Sequence, residues 1–173
     1  STRWHTDTDL KRLAGTGTSV AHCPTVFARR GITMKNFGRY RRAGVNMGLG
    51  TDTYPHNMLD EIRLAAYLAR TQASDPRAVT TQELFEAATI GGAKALGRED
   101  IGRLAPGCRA DFVLVDVTHP LMQPRRDPLR SLVYAAGERA LRAVYVDGTC
   151  AVRDGRVLTM DFAGAAERLN EAQ

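Results

Sequence analysis

Helix-forming and strand-forming segments alternate between residues 7 and 72, and no other feature constrains the fold as much. Residues 7–14, DTDLKRLA, place acids early, bases late and Leu10, Leu13 and Ala14 as the apolar positions, which predicts an amphipathic helix ended by Gly15 or Gly17. The short apolar run Thr18-Ser19-Val20-Ala21-His22 follows as a strand, and Pro24 takes the chain out of any ladder directly after it. Residues 35–43 predict a short helix closed by Gly44, and Val45-Asn46-Met47-Gly48-Leu49 a second brief strand bounded by glycine. From Asn57 a longer helix is expected, with Asp60 and Glu61 in its first turn, Arg63 and Arg70 later, and Met58, Ile62, Ala65 and Ala69 on one face. That order has the rhythm of parallel βα units, in which functional groups gather at strand C-termini.

Further along, Thr80-Thr81-Gln82-Glu83 is a capping box feeding Leu84, Phe85 and Ala88, and Gly97 ends the small-residue run before it. The style then changes. Residues 101–107 are turn-rich, residues 110–116 are a β-branched run of strand type, and residues 141–146 are another strand candidate. Asp147-Gly148 and Asp154-Gly155 are hairpin signals, each followed by a short apolar run. A small antiparallel unit is therefore expected after the βα part, with a polar helix from about Asp161.

Composition removes several function classes. At 43% hydrophobic and 25% charged over 173 residues the chain is ordinary globular material of about one domain's length. No apolar run approaches the roughly 18–20 residues that cross a bilayer, and Ser1-Thr2-Arg3-Trp4-His5 lacks the plan of a secretory signal, so no membrane partner is expected. Cys23, Cys108 and Cys150 are too few and too far apart for a disulfide framework or a cysteine zinc cage, which points to a reducing cytoplasm. The net charge of +5 permits an acidic partner, but the basic residues are scattered and aromatics make up 6%, without the interleaving that nucleic acid binding uses. No nucleic acid partner is expected. The chain opens on Ser1 inside helix-forming sequence, and the expectation is a piece of something longer.

Histidines stand at positions 5, 22, 56 and 119, with no H-x-H or H-E-x-x-H, so no complete metal site is visible. Phosphate-cradling glycine motifs and the G-x-S-x-G elbow are absent as well. Polar chemistry concentrates at two strand ends, Val20-Ala21-His22-Cys23-Pro24 and Gly48-Leu49-Gly50-Thr51-Asp52. Taken alone, Asp52 reads as an N-cap or turn former before it reads as a ligand, and His22 as a satisfied structural histidine. Taken together, two successive short strands that each deliver a titratable group at the C-terminal edge are what a barrel-mouth active site requires.

The strings TSVAHCP, AGVNMGLGTD, NMLDEIRLA, AT-x-GGAKALG and IGRLAPGCRADFVLVD, in this order, resemble the C-terminal part of the amidohydrolase superfamily. The branch they resemble holds the guanine and cytosine deaminases, the adenosylhomocysteine-type deaminases and the triazine chlorohydrolases. The resemblance implies an α/β fold: the C-terminal portion of a (β/α)8 TIM barrel, with its last strands and helices, followed by part of a small β-sandwich domain. Barrel material would fill residues 1–100, sandwich strands with an intervening helix residues 101–158, and a C-terminal helix residues 159–173.

By the same resemblance Thr18–His22 lies on barrel strand 7 and Val45–Leu49 on strand 8, and Asp52 falls on the family's strand-8 aspartate. That residue would be both a metal ligand and the catalytic proton relay. His22, Tyr54 and His56 would bind substrate. The implied cofactor is one divalent metal, zinc in the first place and iron as the alternative. The implied activity is hydrolytic deamination, or dechlorination, of a nitrogen heteroaromatic ring by hydroxide activated at that metal.

The alternatives are hydrolysis of a cyclic amide or imide within the same superfamily, and a non-catalytic fragment serving as a structural or interaction module. Implied partners are a small heterocyclic substrate and the N-terminal part of the same enzyme, with a homo-oligomer among the permitted assemblies. The family's strand-1 H-x-H, its strand-5 histidine and nearby glutamate, and its strand-6 histidine have no counterparts here. The last of these would lie in a segment ending near Trp4, and His5 is out of register with it. Val26-Phe27 stands where the family carries Ser-Asn after the strand-7 proline. Two or three barrel strands leave open edges, so the isolated chain is expected to be inactive.

Overall fold

The computed structural model describes residues 5–34 and 37–172. Helix α1, Asp7–Gly15, opens on a capping box: Thr6 Oγ1 accepts the Asp9 N–H at 3.2 Å while the Asp9 carboxylate accepts the Thr6 N–H at 2.8 Å. Its inward residue Leu10 is 1% exposed. Strands β1, Ser19–His22, and β2, Asn46–Leu49, then pair in parallel with Ser19 opposite Asn46 and His22 opposite Leu49. The Gly50 N–H donates to the His22 carbonyl at 3.0 Å, extending the ladder past the last paired residues.

Between the strands run α2, Pro24–Ala28, and α3, Phe37–Arg42. Lys35 and Asn36, with which the expected helix began, lie outside the described residues, as does the segment ending near Trp4. Proline at the first helical position of α2 converts the exit from the ladder into a helix start, because its missing N–H would have had no intrahelical partner anyway. Helix α4, Met58–Ala73, is capped by Asn57, whose Oδ1 accepts the Leu59 and Asp60 N–H groups, and it ends at Ser74 in the left-handed region.

Helix α5, Thr81–Glu86, starts from the predicted Thr80–Glu83 capping box and continues through a π-helical turn, Ala87–Gly91, into α6, Gly92–Ala95. That turn and α6 pack on β2. One core joins these elements, with Leu10, Val20, Phe37, Tyr40, Met47 and Ile62 among its buried members.

The second sheet is antiparallel, in the order β3, Phe112–Val115, β4, Leu141–Val146, β5, Thr149–Arg153, and β6, Arg156–Val157. Both hairpin turns hold Asp-Gly pairs with positive φ at each residue, 51° and 78° at Asp147-Gly148 and 47° and 75° at Asp154-Gly155. That geometry matches the twist of the flanking strands and is tolerated by Asp and Gly. Phe112 and Tyr145, directly opposite in register, stack at 4.6 Å.

Between β3 and β4 the chain makes 3-10 turns at Pro120–Met122 and Gly137–Ala140, a short helix α7, Pro128–Ser131, and a π-helical turn, Leu132–Ala136. This segment packs on α4, where Arg63 Nε donates to the Val133 carbonyl at 2.7 Å. Helix α8, Phe162–Glu171, buries none of its residues. Among the described residues no helix is long and apolar enough to cross a membrane, and the three cysteines are free thiols.

Candidate functional site

The parallel ladder brings the C-terminal ends of β1 and β2 side by side; of the site residues read from the sequence, His22 is the last residue of β1, and Asp52, Tyr54 and His56 lie on the loop after β2. Asp52 follows β2 by three positions, exposed, with φ 53°, a left-handed conformation that Asp and Asn tolerate better than other side-chain-bearing residues. Among the described residues its carboxylate forms no hydrogen bond or ion pair. The capping role that the sequence left open for Asp52 belongs to Asn57 instead. Asp52 thus stands just past the end of β2 as an exposed carboxylate that, among the described residues, takes part in no structural bond.

His22 closes β1 and is 3% exposed, its ring 6.0 Å from that of Phe37. Burial pushes its pKa down to about 4, because the imidazolium would lose its hydration there, so the ring is neutral at pH 7 and offers one donor and one acceptor nitrogen. Cys23 comes next, its thiol held above the ordinary range first by burial and then by the negative charges of Asp52 and Glu61. A Cβ placed on Gly50 would stand 3.5 Å from Cys23 Sγ, so the two strand-end turns touch.

Tyr54 is 73% exposed, and the Arg29 guanidinium lies 5.1 Å over its ring. Exposed His56 places Nδ1 3.1 Å from Thr51 Oγ1 on the same loop. The structure thus places an aromatic ring and an imidazole on the loop that carries Asp52, sets the Arg29 guanidinium from the end of α2 over that ring, and buries His22 at the end of β1.

Two residues here escaped the sequence reading. Arg29 had no local signal, since its partner Tyr54 is 25 positions away. Glu61 reads from sequence as an acid in the first turn of a helix, yet it is 1% exposed and accepts the Thr25 N–H at 3.0 Å. Its spacing carried a signal: it lies three residues after Met58 and four before Ala65, on the apolar stripe and not on the solvated face.

A shallow cavity of about 280 Å³ lies at the opposite, N-terminal end of β2, between Arg41, Asn46, Glu86 and Lys94. Among the described residues no three His, Cys, Asp or Glu side chains come together as a metal cage. The fit to a divalent metal is therefore that of one contributor: an unpartnered, exposed carboxylate, a hard oxygen donor compatible with either zinc or iron.

The model of the Amidohydrolase family matches residues 2–151. The 5-methylthioadenosine/S-adenosylhomocysteine deaminase 1 of Archaeoglobus fulgidus is 40% identical over 159 residues, which are 88% of this chain and 37% of that protein. The 5'-deoxyadenosine deaminase of Methanosarcina mazei is 32% identical over 98% of this chain and 40% of its own length. Among solved structures, an adenosine deaminase from Xanthomonas campestris with bound zinc superposes with TM-score 0.91 at 32% identity, covering 98% of this chain and 40% of that one. Atrazine chlorohydrolase from Arthrobacter aurescens TC1, complexed with zinc, superposes with TM-score 0.87 at 25% identity, covering 99% of this chain and 39% of that one. The chain spans about two-fifths of the length of the relatives it matches.

Proposed function

Since the chain belongs to the amidohydrolase family, we propose that it is the C-terminal portion of a metal-dependent hydrolase that removes an amino group, or less readily a halide, from a nitrogen heteroaromatic ring. In this reading β1 and β2 are barrel strands 7 and 8, and the sheet β3–β6 belongs to a small β-sandwich. Residues 1–100 are barrel material, residues 101–158 sandwich strands with the intervening helical segment, and residues 159–173 the terminal helix. The observation that carries the functional reading is the Asp52 carboxylate, exposed, without a partner among the described residues and held at a positive φ just past the end of β2.

Asp52 is the ligand this chain gives to one divalent metal, zinc in the first place and iron as the alternative; the deaminase and chlorohydrolase that superpose on this chain carry zinc. When bound, the metal supplies Lewis acidity at the site of attack. A carboxylate oxygen of Asp52 takes the proton released by the attacking water and delivers it toward the departing nitrogen, a shuttle for which an unpaired carboxylate is suited. Tyr54 offers a ring face for stacking a flat heterocycle, and the Arg29 guanidinium packed on it at 5.1 Å stiffens that face. His56 offers its ring nitrogens to the exocyclic and ring nitrogens of the substrate, and the neutral His22, 3% exposed, offers one donor and one acceptor to the part of the substrate that reaches the end of β1.

The N-terminal part of the same enzyme supplies the remaining ligands. The protein works as a cytoplasmic enzyme without nucleic acid or membrane partners, and a homo-oligomer is compatible with this. The deaminase names of the relatives favour amino-purine rings.

The test is ammonia release by the metal-loaded full-length enzyme from a panel of amino-purines, amino-pyrimidines, pterins and amino-triazines, run beside hydantoins and acyl amides. Turnover of the aromatic amines supports the reading. Turnover confined to the non-aromatic amides moves the protein to the cyclic amide and imide branch, and no turnover of any compound favours a structural or interaction module.

A further inference from the structure

Helix α2 begins with a problem that its own sequence leaves open. Cys23 occupies the N-cap and makes no side-chain capping bond, and Pro24 has no N–H, so the first orphan donor of the helix is the Thr25 N–H. Serine, threonine or aspartate at position 23 would satisfy it locally. Here the Glu61 carboxylate satisfies it from 36 positions further along the chain, at 3.0 Å, from the first turn of α4. Burying a carboxylate to 1% exposure opposes folding unless hydrogen bonds hold it, which makes this a costly substitute for a local cap.

What the long-range cap achieves is geometric. It ties the turn after β1 to the helix after β2 beside the point where the Gly50 N–H meets the His22 carbonyl and the Cys23 thiol lies against Gly50. His22 and Asp52 extend from the two strand ends that this knot joins.

We propose that Glu61 is a positioning residue for the candidate site: its buried carboxylate holds the Cys23-Pro24-Thr25 turn against α4, and so sets the end of β1 bearing His22 relative to the loop bearing Asp52. Its kinetic consequence rests on the hydrolase reading above. Its mechanical consequence, a fixed turn, does not.

Glu61→Ala removes the acceptor, whereas Glu61→Gln keeps a carbonyl oxygen in the same place. Misplacing a reacting group by about 1 Å costs on the order of 10²-fold in rate. In the full-length enzyme, assayed below the melting temperature of each variant, Glu61→Ala is expected to lose about 10²-fold in kcat/KM at unchanged metal content, with Glu61→Gln within about tenfold of the parent. A part that merely supports the fold would lower the melting temperature of both variants and leave kcat/KM alone, and that result overturns the proposal.

The half-buried Cys23 thiol gives a second readout. In a Cys108→Ser/Cys150→Ser background, a thiol reagent such as DTNB should modify Cys23 at least about tenfold faster in Glu61→Ala than in Glu61→Gln, which loses the same negative charge beside the thiol but keeps the acceptor, because the turn opens locally only in the former. If Glu61→Ala yields no folded protein, Glu61→Asp decides, since a side chain one methylene shorter retracts the carboxylate from Thr25: faster Cys23 modification supports the anchor, and the parental rate overturns it. Should the wild-type enzyme turn over nothing on the panel, the hydrolase reading fails, and the thiol rates alone decide whether Glu61 fixes the turn.

Discussion

Replacing Gly91 with alanine would put a Cβ 2.0 Å from the Met47 carbonyl oxygen and 3.1 Å from its carbon. Real Cβ contacts essentially never fall under 3.0 Å, so the π-helical turn would have to withdraw from β2 by about 1 Å. The backbone of Gly91 is ordinary right-handed helix, φ −63° and ψ −41°, so the cost is contact and not conformation. Overpacking of this kind costs about 1–3 kcal/mol. The withdrawal also stretches the Asn46 Nδ2–Gly91 carbonyl bond, now 3.0 Å, which contributes about 0.5–1.5 kcal/mol.

Alanine's better helix propensity returns roughly 1 kcal/mol, leaving a net loss of about 2 kcal/mol. Gly92 is the internal control: it has nearly the same dihedrals, φ −63° and ψ −45°, and nothing lies within 4 Å of its Cβ position. Gly92→Ala should therefore be neutral or stabilising by up to about 1 kcal/mol. Urea unfolding of both variants in the full-length protein measures the difference, and a Gly91→Ala protein as stable as Gly92→Ala would refute the close helix-strand approach.

His22 makes stability pH-dependent with a defined sign. Its pKa is about 4 when folded against an ordinary 6.5, so between these values the unfolded chain binds a proton that the folded one refuses, and stability falls as pH drops through this window by roughly 3 kcal/mol; above pH 6.5 the group contributes no slope. The difference in unfolding free energy between the parent and His22→Asn, followed from pH 7 to pH 4, should show that slope, and parallel curves would contradict it. Asp52→Asn should cut metal content and lower turnover by several orders of magnitude while shifting stability by less than about 1 kcal/mol, since Asp52 makes no structural bond among the described residues and Asn also tolerates the left-handed backbone at φ 53°. Full metal occupancy with normal turnover in that variant would remove Asp52 from the chemistry.

The features legible in the sequence are those whose causes lie within a few residues. The Asp-Gly pairs at 147–148 and 154–155 read as hairpins because both residues accept positive φ, and they adopt it. The Thr80–Glu83 box starts its helix as written, since both partners sit on the same turn. Leu141–Val146 forms the strand that its β-branched and aromatic residues favour. Of the candidate site, the sequence order made the neighbourhood legible: two short strands with polar C-terminal ends put His22 at the end of β1 and Asp52, Tyr54 and His56 in the segment after β2, which is where the structure has them.

Tertiary structure alone decided the surroundings of those groups. It assigned the cap of α4 to Asn57 and so released Asp52, buried His22 against Phe37, laid Arg29 on Tyr54, and sent Glu61 to the Thr25 N–H. It also gave Gly91 its meaning, through a contact with Met47 that a helical pattern does not encode. The physical reason is range. Capping, turn chemistry and amphipathic periodicity are settled between residues one to four positions apart. Burial, pKa and long-range hydrogen bonds depend on which distant segments pack together, here across gaps such as the 36 positions from Thr25 to Glu61 and the 45 from Asn46 to Gly91.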